Sequence, residues 1–273
     1  MTQEQKIWLG ARTIWNSAKP LLLYLFFPGL FMSVGMLVRA YRGTTEEFIN
    51  ESSNFYTCLS VLVLGFWLHR RAKKRGSSLF EEATLFWEHP DRRYAALCLA
   101  LGAAAGLFLS AALSILPLPE WMLRSYSQKS ASIFAKGDLP LVCITVGFLS
   151  PLMEEIIFRG YMLNRLLTFF SKKQAVFVTS LLFALCHANF IWMLYAFGMG
   201  QLLGWISIRR DNILYAVCLH IGFNLPSVVI AVLSSFSGIQ SRFLEHKGLI
   251  VCYGLAAAFA LQKLIKEMKR EEG

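Results

Sequence analysis

Paired cysteines, charged residues and repeats are scarce in this sequence, and each scarcity excludes a class of protein. The six cysteines stand singly inside apolar runs without CxxC spacing, so neither a disulfide framework nor a zinc ribbon is expected. Charged residues make up 16% of the 273 positions, whereas hydrophobic residues make up 56% and the mean hydropathy is +0.50. This apolar content exceeds what the core of a soluble domain needs, and it predicts a polytopic membrane protein.

The chain also shows no internal repeat, no low-complexity tract and no linker long enough to separate two domains. We therefore predict one integral membrane domain with three parts. Residues 1–138 are expected to form an N-terminal part with an interfacial segment and about three spans. Residues 139–235 are expected to form a core that contains polar residues, and residues 236–273 the last span and a basic cytosolic tail.

Apolar windows near the length of ~20 residues that crosses a bilayer occur eight times. They fall at about 20–38, 55–68, 95–116, 139–158, 174–190, 191–208, 213–235 and 248–265. The expected fold class is therefore all-α, a polytopic membrane helix bundle of about eight transmembrane helices with an intramembrane polar site. Gly102 and Gly106 form a GxxxG in the third span, which predicts close helix packing inside the bundle.

The basic residues predict the orientation of the chain. No nucleic-acid-binding motif accompanies the formal charge of +10, so we assign the charge to membrane topology rather than to nucleic acid. With eight spans, 20 of the 27 Lys and Arg residues lie on the side of the termini and seven on the other side. Because basic loops stay in the cytosol, both termini are expected to be cytosolic, at the cell membrane if the source is prokaryotic.

Two polar segments flank the first spans. The run Arg70 to Arg75 is expected to fix the topology and to attract anionic lipid headgroups. The segment Met1 to Lys19 predicts either an interfacial amphipathic helix or a frayed terminus, since Trp8 and Trp15 stand one heptad apart in it. It does not have the pattern of a cleavable signal peptide.

Polar residues that interrupt the apolar runs are the candidate functional groups. They are Glu154, Glu155 and Arg159 in the fourth span, His187 at the end of the fifth, and His220 and Asn224 in the seventh. A carboxylate at membrane depth is costly unless it is paired, neutral or in contact with water, so by default it indicates a functional site. An acid, two histidines and an amide in successive hydrophobic segments are the components of an acid–base site.

Helical spacing separates the roles of the two acids. Residues four apart share a helix face, so Glu155 is expected to pair with Arg159, whereas Glu154 points elsewhere and is the better candidate for chemistry. Pro151 removes one backbone hydrogen bond, and we expect it to kink the helix and to expose carbonyls to water. The alternative is that the span ends at Leu152 and that both acids are interfacial.

The histidines are less informative one by one. His187 lies four residues after Phe183, and Asn224 lies four after His220, so each pair shares a helix face. A single histidine in an apolar run is more often structural than catalytic, and the combination with an acid across three spans is what favours a site. The sequence lacks HExxH, and one acid with two histidines is an unspecific metal set.

Three segments together resemble a known family. Glu154–Arg159, Phe183–His187 and His220–Asn224 resemble, in this order, the EExxxR, FxxxH and HxxxN motifs of the CPBP intramembrane protease family. That family includes CAAX prenyl endopeptidases of the type that cleaves after prenylation, and bacterial proteins tied to bacteriocin processing and self-immunity. The resemblance covers residues 139–235, whereas residues 1–138 are supported by hydropathy alone.

The resemblance implies an intramembrane endopeptidase that cleaves a membrane-bound protein or peptide within the lipid bilayer. Glu154 and His187 would activate a water molecule, and His220 and Asn224 would donate hydrogen bonds to the oxyanion. Glu155, Arg159 and Phe183 would support the site. The family has been interpreted both as metalloproteases and as glutamate-dependent proteases, and an amide at position 224 favours a site without zinc or another cofactor.

Two other classes of function fit the same residues. Buried acids and histidines also form proton relays in proton-coupled transporters, although transporters often contain repeats and paired broken helices that this sequence lacks. A non-catalytic immunity or regulatory membrane protein would keep the same motifs as determinants of its fold.

Overall fold

The helices of the chain agree with the all-α class. The structure is a computed structural model that describes residues 3–42, 47–85, 90–134, 139–237 and 247–270. Within those ranges every regular element is a helix. We number these helices α1 (Gln3–Arg42), α2 (Glu47–Lys73), α3 (Leu79–Glu82), α4 (Arg92–Ile115), α5 (Glu120–Phe134), α6 (Leu139–Leu166), α7 (Lys172–Leu185), α8 (Phe190–Arg210), α9 (Leu214–Ser237) and α10 (Lys247–Arg270).

Five segments of the described chain are long and apolar enough to cross a membrane, and the protein is a membrane helix bundle. They are Ala18–Val38 within α1, Arg92–Leu113 within α4, the whole of α6 and α8, and Leu214–Leu233 within α9. The other three predicted spans fall in α2, α7 and α10. With 14 residues, α7 is about 21 Å long, which is shorter than a hydrocarbon core of ~30 Å. The count of eight spans and the cytosolic termini stay predictions.

The N-terminal polar segment is the first part of a long helix. α1 continues without interruption through Pro20 and Pro28 over 40 residues, a length of about 60 Å. The segment is therefore helical from Gln3 onwards, contrary to the frayed terminus, and it continues directly into the span Ala18–Val38.

The described chain forms two compact units, neither of which is a continuous segment. Unit 1 comprises Met1–Phe86 and Met153–Ile213, and unit 2 comprises Trp87–Leu152 and Leu214–Gly273. α6 therefore contributes its first half to unit 2 and its second half to unit 1. The division at residues 138 and 235 stays a prediction from the sequence.

Small residues bring the helices of each unit close together. In unit 1, a Cβ atom on Gly200 of α8 would lie 2.9 Å from the Cβ atom of Ser180 on α7. In unit 2, Cβ atoms on Gly102 and Gly106 of α4 would collide with backbone carbonyls of Leu219 and Phe223 on α9. The predicted role of the GxxxG, close packing inside the bundle, is confirmed, and the contact fixes the backbone beside the HxxxN segment.

Candidate active site

The helix that carries the two acids contains two π-helical stretches. Thr145–Leu149 and Ile156–Leu163 wind as π-helix on either side of the α-helical segment Ser150–Glu155. π-Helical turns inside α-helices occur frequently at functional sites. The first π turn ends at Leu149, two residues before Pro151. The kink expected at the proline stays a prediction.

The π turn leaves one backbone carbonyl without a partner in its own helix. The N–H of Ser150 donates to the carbonyl of Thr145, so it does not serve Val146 as it would in an α-helix. The next residue, Pro151, has no N–H to offer as the π-helical donor. The side-chain amide of Asn224 fills this gap, with Nδ2 donating to the Val146 carbonyl at 3.0 Å. Asn224 of the HxxxN segment therefore binds the carbonyl that Pro151 frees.

Glu155 and Arg159 form the buried ion pair that their spacing predicts. Both side chains have 0% exposure, and Arg159 Nη1 donates to Glu155 Oε1 at 2.8 Å. Arg159 Nη2 also donates to the Gly200 carbonyl at 3.1 Å, and the guanidinium carbon lies 4.7 Å from the ring centroid of Phe183. The alternative in which the helix ends at Leu152 is wrong, because α6 continues to Leu166 and Glu155 is fully buried.

Glu154 has a different environment from its neighbour. Its side chain is half-buried, and the hydroxyl of Tyr24 on α1 donates to its Oε1 at 2.6 Å. This contact joins residues 130 positions apart in the sequence. Sequence reasoning missed Tyr24, because a lone tyrosine in an apolar span carries no motif. The contact fixes one carboxylate oxygen of Glu154 through a neutral donor.

His187 lies in the turn after α7 and is held in one orientation. Its Nδ1 lies 2.8 Å from the Phe183 carbonyl, which accepts hydrogen bonds and does not donate them. Nδ1 is therefore the protonated nitrogen of the neutral ring, and Nε2 carries the lone pair that a base requires. The ring also packs edge-on against Phe183 at a centroid distance of 4.8 Å. Glu154 is an electrostatic neighbour of Cys186, the residue directly before His187.

The turn that carries His187 is fixed by its own local contacts. Ala188 adopts a left-handed conformation with φ of 50°, which reverses the chain between α7 and α8. The side chain of Asn189 then caps α8 by accepting a hydrogen bond from the Trp192 N–H at 3.2 Å.

The structure thus connects the motif residues within each unit. In unit 1, Glu155, Arg159, Phe183 and His187 form one continuous series of contacts, next to Glu154. In unit 2, His220 is buried at 5% exposure and lies one turn before Asn224 on α9. A common site of all four predicted catalytic residues stays a proposal.

The arrangement of possible zinc ligands can be compared for the described residues. Among them, no group of three or more His, Cys, Asp or Glu side chains is arranged to hold a metal ion. We therefore derive no chemical step through a metal.

Comparison with known proteins identifies the segment that carries the motifs. Residues 136–226 match the family model of the type II CAAX prenyl endopeptidases described as Rce1-like. This segment resembles an Rce1-like domain. It contains all three motifs, and the predicted recognition of the CPBP family is confirmed. The match is to this segment of about a third of the chain, and it shows similarity to membrane proteins of the CAAX protease type.

Two relatives match the chain over a similar length. The UPF0177 protein YxdF of Lactococcus lactis subsp. lactis (strain IL1403) is 29% identical over 115 residues, which cover 41% of this chain and 63% of YxdF. An uncharacterized 24.3 kDa protein of Escherichia coli is 32% identical over 120 residues, which cover 42% of this chain and 53% of that protein. The matches thus span less than two thirds of either relative. No solved structure matches the chain.

Proposed function

We propose that this membrane protein is an intramembrane endopeptidase that hydrolyses a peptide bond of a membrane-associated protein or peptide. The observation that carries the proposal is that two adjacent acids have different burial and different partners. Glu155 is buried and bound to Arg159, whereas Glu154 is half-buried and oriented by the Tyr24 hydroxyl. An oriented carboxylate that is partly accessible suits a general base. The Rce1-like domain supports the same chemistry.

In this proposal, Glu154 and His187 take a proton from a water molecule as its oxygen bonds to the carbonyl carbon of the substrate. The carbonyl electrons move to oxygen, and His220 and Asn224 donate hydrogen bonds to the resulting oxyanion. The intermediate then collapses, the C–N bond breaks, and the proton passes to the departing amine. His220 and Asn224 belong to a different unit from Glu154 and His187, so their joint action rests on the order and spacing of the motifs.

The proposal is tested by mass spectrometry of membrane peptides from cells that express the wild-type chain or Glu154→Gln. We expect a set of cleaved peptides that is present with the wild type and absent with Glu154→Gln. The matched control is Glu120→Gln, since Glu120 is an exposed acid that pairs with Arg124 on α5. Identical peptide sets from the wild type and Glu154→Gln would overturn the proposal.

A second candidate function is a non-catalytic immunity or regulatory membrane protein. The contact between Asn224 and the Val146 carbonyl favours it, because it gives an HxxxN residue a structural role. Under this alternative, Glu154→Gln preserves the biological effect of the protein, whereas Asn224→Ala removes it together with the fold.

Removing the donors of the HxxxN segment is expected to lower turnover far more than substrate binding. His220→Ala and Asn224→Ala should each reduce kcat about 10²- to 10³-fold, because oxyanion donors act mainly in the transition state. Asn224→Ala should also lower the free energy of unfolding by about 1–3 kcal/mol, since it strands the Val146 carbonyl. Asn164→Ala is the control for loss of an amide side chain, because Asn164 lies outside the three motifs and donates to the Thr84 hydroxyl at 3.3 Å. If either His220→Ala or Asn224→Ala mainly raised KM and left kcat nearly unchanged, the oxyanion role would be contradicted.

Removing the Tyr24 hydroxyl is expected to slow turnover without unfolding the protein. Tyr24→Phe loses one hydrogen bond to a charged group, and a loss of about ten- to a hundredfold in kcat should follow with little change in KM. Tyr41→Phe on the same helix is the control, because Tyr41 is 94% exposed. Equal kinetics for Tyr24→Phe and Tyr41→Phe would show that the contact does not orient the base.

Cleavage is expected to persist under metal chelation. Water activation by a carboxylate and an imidazole requires no metal ion. The measurement is product yield after a chelator treatment long enough to inactivate a control metalloprotease. Stoichiometric zinc in the purified protein that is lost together with activity would contradict this expectation.

A further inference from the structure

A cluster of cations lies at the polar end of the first span, far along the chain from the motif residues. Lys19 Nζ of α1 lies 5.4 Å from the ring centroid of Trp67 on α2, and the guanidinium carbon of Arg71 lies 5.3 Å from the same centroid. All three side chains are half-buried. Two cations therefore meet at one indole ring that is partly shielded from water.

The cluster has more hydrogen-bond donors than acceptors. Arg71 Nη2 donates to Asn16 Oδ1 at 2.7 Å, whereas Arg71 Nη1 is buried without a partner within the described chain. In those same ranges neither Lys19 nor Arg71 forms an ion pair. The carboxylate of Glu82 is engaged by Arg75. A buried guanidinium N–H that lacks an acceptor is costly, so the cluster is complementary to an anion from outside the chain.

Burial and a neighbouring cation act on Arg71 in the same direction. Burial, followed by the positive charge of Arg75, lowers the pKa of Arg71 from its usual range, and the opposing effects of Tyr161 and Glu82 offset this only in part. An anion beside Arg71 would offset both effects.

The position of the cluster indicates the kind of anion. Lys19 is the second residue of the span Ala18–Val38, so the cluster lies where the apolar segment begins and where lipid headgroups are found. Tryptophan is enriched at this level of a membrane, and phosphate oxygens match the donors of arginine and lysine. We propose that Lys19, Arg71, Trp67 and Asn16 form a binding site for the phosphate of an anionic phospholipid.

The test is lipid binding to the purified full-length protein in detergent, measured by native mass spectrometry and by the shift in Tm. The probes are dioleoyl phosphatidylglycerol, dioleoyl phosphatidylcholine and inorganic phosphate. We expect the wild type to bind phosphatidylglycerol in preference to phosphatidylcholine and to show no shift with inorganic phosphate. Arg71→Gln and Lys19→Gln should each weaken binding of phosphatidylglycerol about tenfold.

The matched control is Arg12→Gln, which removes the same charge from α1. Arg12 contacts the exposed ring of Trp8 at 5.3 Å and lies outside the cluster, so phosphatidylglycerol binding should not change. Lys19→Gln, on a different helix from Arg71, keeps the test valid if Arg71→Gln does not fold. Equal losses in Arg12→Gln and the cluster variants, or equal binding of both lipids, would overturn the site. Stabilisation by inorganic phosphate that depends on Arg71 would overturn the assignment to a lipid.

Discussion

Replacing Arg159 by alanine or Glu155 by glutamine is expected to lower the free energy of unfolding by about 3–5 kcal/mol. Each change removes one partner of an ion pair with 0% exposure and leaves the other charge buried. Arg159→Ala also removes the bond to the Gly200 carbonyl and the contact with the Phe183 ring. Thermal melts in detergent should therefore show both variants with a strongly lowered Tm.

The control for this loss of stability is an exposed ion pair with the same four-residue spacing. Glu120 and Arg124 on α5 lie 2.9 Å apart with side chains exposed by 85% and 68%. Glu120→Gln and Arg124→Ala should change stability by less than about 1 kcal/mol. If Glu155→Gln melted like Glu120→Gln, the buried pair would not hold the fold together.

Replacing Glu154 by glutamine is expected to reduce cleavage about 10²- to 10⁴-fold while the protein stays folded. The amide has nearly the shape of the carboxylate and can still accept the Tyr24 hydrogen bond, but it does not accept a proton from water. Unlike Glu155→Gln, the change does not strand the guanidinium of Arg159. Product formation by purified protein, normalised to the folded fraction, measures the effect.

The activity and the stability of the two glutamine variants, compared side by side, distinguish the roles of Glu154 and Glu155. We expect an inactive, stable Glu154→Gln and an unstable Glu155→Gln. A stable, inactive Glu155→Gln beside an active Glu154→Gln would mean that the two roles are reversed.

Local spacing in the sequence predicts part of this arrangement. The ion pair between Glu155 and Arg159 follows from four-residue spacing alone, since side chains at that distance meet on any helix. Each of the eight apolar windows lies mostly in one helix, because a segment of apolar residues in a membrane has to satisfy its backbone internally. The window 174–190 is the exception at its end, since α7 ends at Leu185 and the window continues into the turn before α8.

Contacts between distant segments were not predictable in the same way. The hydrogen bond from Tyr24 to Glu154 depends on how α1 packs, and a tyrosine in an apolar span has no periodic signal for it. The sequence predicts that Pro151 frees a backbone carbonyl. It does not predict that the Asn224 amide donates a hydrogen bond to that carbonyl. Such partners are set by tertiary packing, whereas helical spacing describes only neighbours on one helix.

The most direct test of the proposed activity is hydrolysis in ¹⁸O-labelled water by the purified, reconstituted protein. Peptides first identified in cells that express the wild type would serve as substrates, and mass spectrometry would read the new carboxyl terminus of each product. We expect ¹⁸O at that terminus with the wild type and with Glu120→Gln, and at least about a hundredfold less product with Glu154→Gln. Labelled product formed equally by Glu154→Gln, or no product with the wild type, would contradict an endopeptidase that uses Glu154 to activate water.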